Sequence, residues 1–391
     1  MKAQIFLQFA LILIATKIFG LFSRRMHLPQ VVGALLSGIL LGPALLNIVD
    51  ESELITTLAS IGVVILMFSA GLETDLNQLR SSWKSTFLIA VMGILLPIGG
   101  GFVLGHFFGQ NVMMSIFLGV VLTATSVSIS VETLHEMGKL KSKAGTAILG
   151  AAVIDDILGV VILSVIIGAG EGEVSPLEIG WTLLRIFGFF ALTLILGIGV
   201  YKLFSKLSVH YNTKKRMSIF ALAFCFFMVY MAEQFGVADI IGAYFAGLVL
   251  CNSKEEKHIQ ERTETMSYMF FSPIFFVSVG LMTTFDGING KLVLFAALLL
   301  IIAIVTKFAG CGLGALMCKY SKSESAQIGA GMISRGEVAI IVATKGMTEG
   351  LMAPDLFSSV IIVVITTTLI APFLLKAAFS KDKPREEPIN S

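Results

Sequence analysis

Long apolar runs recur along the whole chain, separated by short polar stretches. A helix needs roughly 20 apolar residues to cross a bilayer, because a rise of about 1.5 Å per residue must cover a ~30 Å hydrocarbon core. The pattern predicts thirteen such helices, at 4–22, 30–48, 54–72, 85–108, 112–131, 145–169, 179–201, 217–234, 237–252, 266–284, 292–318, 324–347 and 356–379. No strand pattern is visible. The first run does not read as a cleavable signal peptide, since its basic pair, Arg24 and Arg25, follows the apolar stretch.

Composition sharpens this picture. Of 391 residues, 56% are hydrophobic and 14% charged, against roughly 25% charged in a soluble domain. That excludes an ordinary soluble enzyme. Four cysteines are too few for a disulfide scaffold, and a net charge of +2 gives no reason to expect nucleic acid. The expected class is an all-α, multi-pass membrane protein in contact with lipid.

Basic residues set the expected orientation. One set of alternate loops, with the C-terminal tail, carries 21 of the 28 Lys and Arg residues, among them Arg24, Arg25, Lys139, Lys141 and Lys143. The opposite side has only Lys2, Lys291 and Lys345. The N-terminus is therefore expected outside and the C-terminus in the cytoplasm of a cell.

Two segments repeat. VGALLSGILLG (32–42) matches IGAYFAGLVL (241–250), placing Gly33 on Gly242 and Gly38 on Gly247. FSAGLET (68–74) matches VSVGLMT (277–283), placing Gly71 on Gly280 and Thr74 on Thr283. Both matches lie at an offset of 209. That offset lays the first six helices (1–169) on the last six (217–379) with opposite sense, leaving 178–207 as a linker helix. Inverted repeats mark secondary transporters, with a site near the midplane. The alternative is that small residues recur in any packed bundle of helices.

Charges at the centre of a span are costly, about 2.5–3.5 kcal/mol on insertion scales. Asp155 and Asp156 lie mid-helix in GAAVIDDILGVVIL. Neighbours on an α-helix diverge by about 100°, so one carboxylate faces a cavity while the other faces a different helix. Such a pair suits proton exchange. Lys307 is too deep in its helix to reach either surface and needs a buried anionic partner; the Asp pair is at the same depth. Arg335 and Glu337 lie midway along the twelfth helix, and the repeat places Thr125 and Ser126 opposite Ser334 and Arg335. Hydroxyls, Gly and charges at that depth fit interrupted helices whose freed carbonyls and Thr/Ser hydroxyls help coordinate a cation, while Arg335 and Glu337 offset the charges of the helix ends. Two continuous helices with an Arg–Glu pair fit the same residues equally well. Neither the Asp pair nor Lys307 has a symmetry mate. Glu73 and Asp75 end a helix and read as solvated or as lining an entry funnel. The five histidines show no metal-ligand spacing, so no cofactor and no resident metal are expected.

The chain resembles the monovalent cation–proton antiporter-2 family, in particular its short bacterial sodium–proton antiporters. The motifs are LPQVVGALLSGILLGP (28–43), LMFSAGLETDL (66–76), TATSVSI (123–129), LGAAVIDDILG (149–159), PIFFVSVGL (273–281), Lys307 and RGEVAIIV (335–342). The resemblance implies a thirteen-helix fold with two crossed, interrupted helices in a core (about 85–169 and 291–379) and a dimerisation domain made by the rest. It implies that Asp156 carries the cation or proton, that Asp155 pairs with Lys307, and that Thr125 and Ser126 sit at the crossing, so that Asp156, Asp155, Thr125 and Ser126 are the expected ion and proton site; Arg335 and Glu337, at the helix ends, are expected to stabilise the core. The transported metal is then Na+ or Li+, with K+ an alternative. A sodium-coupled solute symporter, a cation channel and an intramembrane aspartyl protease are rival readings. The last needs two carboxylates converging on one water, which adjacent residues on one helix do not provide.

Overall fold

Backbone polar groups in hydrocarbon must be satisfied within the chain, which favours helices. The computed structural model describes residues 2–26, 28–50, 52–170, 176–210, 214–282 and 290–380. Among the described residues there is no strand. The helices are α1 (Lys2–Arg25), α2 (Gln30–Leu41), α3 (Glu53–Glu73), α4 (Leu76–Phe107), α5 (Val112–Val121), α6 (Val127–Glu136), α7 (Lys143–Gly170), α8 (Pro176–His210) and α9 (Lys214–Gln234). They continue with α10 (Asp239–Leu250), α11 (Glu256–Met266), a π turn (Ser267–Phe271), α12 (Ser272–Leu281), α13 (Gly290–Met317), α14 (Lys322–Gly331), α15 (Glu337–Thr348) and α16 (Pro354–Ser380). His27, Thr283 and the tail from 381 lie outside the described residues, as does the side chain of Glu337.

Nine helices among the described residues are long and apolar enough to cross a membrane alone. The other four predicted spans take two forms. Spans five and twelve are each broken in two, as α5 with α6 and α14 with α15. The predicted spans 30–48 and 237–252 are shorter than expected: α2 and α10 have 12 residues each, or ~18 Å of helix. Gly42 ends α2 in an extended conformation (φ −81°, ψ −173°), because the following Pro43 disfavours α geometry in the residue before it. The tenth span starts ten residues earlier than its apolar run, at Glu256, in the polar stretch EKHIQERTETM.

The repeat extends to the helix bounds. Adding 209 to α2 gives 239–250, the bounds of α10, and adding 210 to α5 and to the start of α6 gives the bounds of α14 and the start of α15. The glycines matched in sequence also make equivalent contacts. A Cβ on Gly38 would lie 2.9 Å from Gly280 Cα, and one on Gly71 would lie 3.0 Å from Gly247 Cα. The offset converts one pair into the other. Small residues there let α2 cross α12, and α3 cross α10, backbone against backbone. A general small-residue pattern does not require such reciprocity.

Candidate functional site

The two broken helices meet at their breaks. α5 begins on a cap in which Asn111 accepts the N–H of Met114 at 2.8 Å. α14 begins on a capping box between Ser321 and Glu324. Each helix therefore starts firmly and stops at mid-depth, where the last carbonyls lack helical donors. The breaks satisfy one another in part. Ser126 N–H donates to the Ser334 carbonyl at 2.8 Å, and Ser334 Oγ donates to the Ser126 carbonyl at 2.8 Å. Ser130 Oγ donates to the Gly331 carbonyl. Gly336 is needed for this close approach, since a Cβ there would lie 2.7 Å from Ser126 Oγ.

The charged residues gather around this crossing, all deeply buried: Lys307 is 0% exposed, Arg335 1%, Asp155 3% and Asp156 8%. Lys307 Nζ, from α13, lies 2.9 and 3.0 Å from the two Asp155 oxygens. It also donates to the Thr123 carbonyl at the end of α5, at 2.7 Å. Thr125 Oγ1 donates to Asp155 Oδ2 at 2.7 Å. Asp155 is thus held by an ammonium and a hydroxyl, as a buried carboxylate requires. Asp156, one residue on, faces elsewhere. It lines a small cavity with Ile186 of α8, Gly236, Val237 and Ala238 of the α9–α10 connection, and Ile241 of α10.

Arg335 serves the other break. Its Nη1 donates to the carbonyls of Met332 and Ile333 at 3.2 and 3.0 Å, and Nη2 to that of Ala303 in α13 at 3.2 Å. Its own N–H donates to Thr367 Oγ1 at 3.3 Å, and its carbonyl accepts from Thr368 Oγ1. Glu337 opens α15, and its side chain lies outside the described residues.

Several of these groups were not singled out in the sequence. Thr123, Ser130, Thr367 and Thr368 all satisfy the breaks. The run of three threonines, 366–368, in an otherwise apolar helix was the available signal. The structure also gathers Glu73, His135 and Glu264, whose ligand atoms lie within 4.8 Å of one another. They come from α3, α6 and α11, so no sequence spacing reveals them. These donors are already engaged with each other through His135 and Gln260.

A multi-pass bundle with inverted repeats, two crossed broken helices and buried carboxylates beside a buried amine is the architecture of a secondary transporter. The sequence pattern of the family described as "Sodium/hydrogen exchanger, transmembrane" matches residues 10–381, and the chain belongs to that family. It is 44% identical over 386 residues to the Na(+)/H(+)-K(+) antiporter GerN of Bacillus cereus, covering 98% of each chain. It is 38% identical to a Na(+)/H(+) antiporter of Enterococcus hirae, over 94% of this chain and 96% of that one. The fold is similar to that of the sodium proton antiporter MjNhaP1 from Methanocaldococcus jannaschii, with a TM-score of 0.70 at 16% identity over 96% of this chain and 97% of that chain.

Proposed function

We propose that the chain is a secondary active antiporter that exchanges Na+ or Li+ for protons by alternating access, with Asp156 as the exchanging carboxylate. The observation that carries this reading is the division of labour at the crossing. Asp155 is neutralised by Lys307, whereas Asp156, its neighbour on α7, turns into a separate cavity. A bare carboxylate is costly to bury, and either a proton or a cation removes most of that cost. The carboxylate therefore crosses loaded with one or the other, which couples the two fluxes. Asp155, Thr125 and Ser126 complete the ion and proton site with Asp156, Thr125 donating to Asp155 and Ser126 bonding across to Ser334. Arg335 and Glu337 stabilise the core.

The moving core in this reading is 85–169 with 291–379. It is supported by an apolar cluster around Phe117, Leu299, Ala343 and Val364 that draws only on those two segments. The remaining helices form the dimerisation domain of a homodimer. The inverted units are 1–169 and 217–379, joined by the helix 178–207. The N-terminus lies outside and the C-terminus in the cytoplasm, by the distribution of Lys and Arg. K+ is a second substrate in this reading, because the 44% identical relative is described as an Na(+)/H(+)-K(+) antiporter.

The test is proton movement driven by Na+, Li+ and K+ in proteoliposomes at several pH values, with Asp156→Asn alongside. Asp156→Asn abolishes exchange while the protein still inserts. Persistent Na+-driven proton movement in that variant overturns the assignment of Asp156.

A further inference from the structure

Four carboxylates gather where α6 ends, beside the loop that carries Lys139 and Lys141: Glu73, Glu132, Glu136 and Glu264. Three are engaged by the protein. His135 Nε2 lies 3.1 Å from Glu73 Oε1 and 3.4 Å from Glu264 Oε1, and Gln260 Nε2 donates to the same two oxygens at 2.7 and 2.6 Å. Glu136 accepts the backbone N–H groups of Gln30 and Val31 at 2.6 and 3.1 Å. It thereby caps α2, whose preceding Pro29 offers no side-chain cap.

Glu132 is the exception. Among the described residues, no group hydrogen-bonds to its carboxylate. It stands instead between two clefts and lines both. One, of about 240 Å³, is bounded by Leu66, Ser69 and Leu140. The other, of about 290 Å³, is bounded by Thr16, Ala34 and Phe276. The cation in the second cleft, Lys17, is turned to Tyr268, donating to its hydroxyl at 3.3 Å and lying 5.4 Å from the ring centroid. A partly buried carboxylate in a largely apolar cleft needs water, a proton or a cation to satisfy it. Glu132 is six residues along α6 from Ser126 at the break, or roughly 9 Å of helix rise.

We propose that Glu132 is a transit site for the transported monovalent cation, which it draws into the clefts and holds, still partly hydrated, before the cation reaches the crossing. A single carboxylate with water completing the shell suits a monovalent ion; a divalent ion such as Ca2+ takes six to eight oxygen ligands, several of them charged. The inference rests on the antiport reading and extends it to one face of the protein.

The experiment uses the full chain in proteoliposomes with the Lys139–Lys141 face turned to the assay medium. Initial rates are measured against Na+ added on that face and, separately, on the opposite face. Glu132→Gln raises the apparent KM for Na+ at least threefold on the α6 face and leaves it unchanged on the other, with kcat within twofold. Glu132→Asp restores most of the affinity. A Glu132→Cys variant provides a second measurement. Labelling it with a sulfonate-bearing thiol reagent lowers KM, and labelling with a quaternary-ammonium reagent raises it. Equal KM in Glu132→Gln, an equal loss on both faces, or the same response to both reagents overturns the transit site while leaving antiport intact. Absence of Na+–proton exchange in the unaltered chain overturns the antiport reading, and the transit site with it.

Discussion

The break at 122–126 and the break at 332–336 are related by the repeat, and both place a buried cation at the C-terminal end of a half-helix. Such ends carry partial negative charge from unpaired carbonyls. Lys307 donates to the Thr123 carbonyl at the end of α5. Arg335 donates to the Met332 and Ile333 carbonyls at the end of α14. Their other partners differ. Lys307 also binds the Asp155 carboxylate, whereas the hydrogen-bond partners of the Arg335 guanidinium among the described residues are backbone carbonyls. The guanidinium is tied to backbone, whereas the ammonium joins its break to a carboxylate on α7. In the proposed antiport, the break held by Arg335 is the fixed one and the break tied to Asp155 is the one that responds. Duplication supplied the geometry, and the residues that broke the symmetry supplied the chemistry.

The largest expected effect tests the fixed break. Arg335→Met fills similar volume but leaves three carbonyls without their charged donor. Hydrogen bonds to a charged group are worth about 1.5–3 kcal/mol each, so the loss is on the order of 5 kcal/mol. That is comparable to the whole stability of many domains. The variant should fail to accumulate in membranes, and neutralising Asp155 should not rescue it. Normal yield and thermal stability for Arg335→Met would remove the arginine from its place in the comparison.

The responsive break should behave differently. Lys307→Ala leaves Asp155 buried without its cation, at a cost of about 3 kcal/mol. Adding Asp155→Asn removes the stranded charge, so the double variant should recover at least ~1 kcal/mol relative to the sum of the single changes. Thermal unfolding in detergent measures this cycle. Additivity would show that the pair at 2.9 Å does not couple energetically.

The legible and the hidden parts of this molecule follow the same physics. The class and the nine full-length spans were readable because hydrocarbon thickness sets a minimum apolar length, and Asp155 and Lys307 stood out because lone charges are rare at that depth. The repeat was readable from Gly38, Gly71, Gly247 and Gly280, where backbones touch and no side chain fits. Helix breaks were undecided in the sequence, because Ser, Thr and Gly serve continuous packed helices as well as broken ones. The cluster of Glu73, His135 and Glu264 was invisible for another reason. Its members come from three helices and lie near span ends, where charges are ordinary. Glu132 shared that disguise. Among the described residues, Glu73, Glu136 and Glu264 each have a hydrogen-bond partner, and that contrast is what singles Glu132 out.

The smallest effect tests how the second break does without a carboxylate. Subtracting 210, the offset that lays α5 on α14, from Thr367 and Thr368 gives Ile157 and Leu158 in α7, neither of which has a hydroxyl. In the first half, Asp155 and Thr125 fill the equivalent need, with Ser126 bonding across to Ser334. In the second, Thr367 and Thr368 hold the Arg335 backbone from α16. Thr368→Val keeps the shape of the side chain and strands one buried carbonyl, and Thr367→Val strands one buried N–H. Each should cost about 1 kcal/mol, read as a lowered thermal midpoint with cation exchange retained. Thr366→Val provides the contrast. Among the described residues that hydroxyl bonds only to Ile362 of its own helix, at 2.7 Å, so the midpoint should stay where it is. Equal losses at all three positions would mean that the threonines serve α16 itself and not the break. The two halves would then differ in their charges alone.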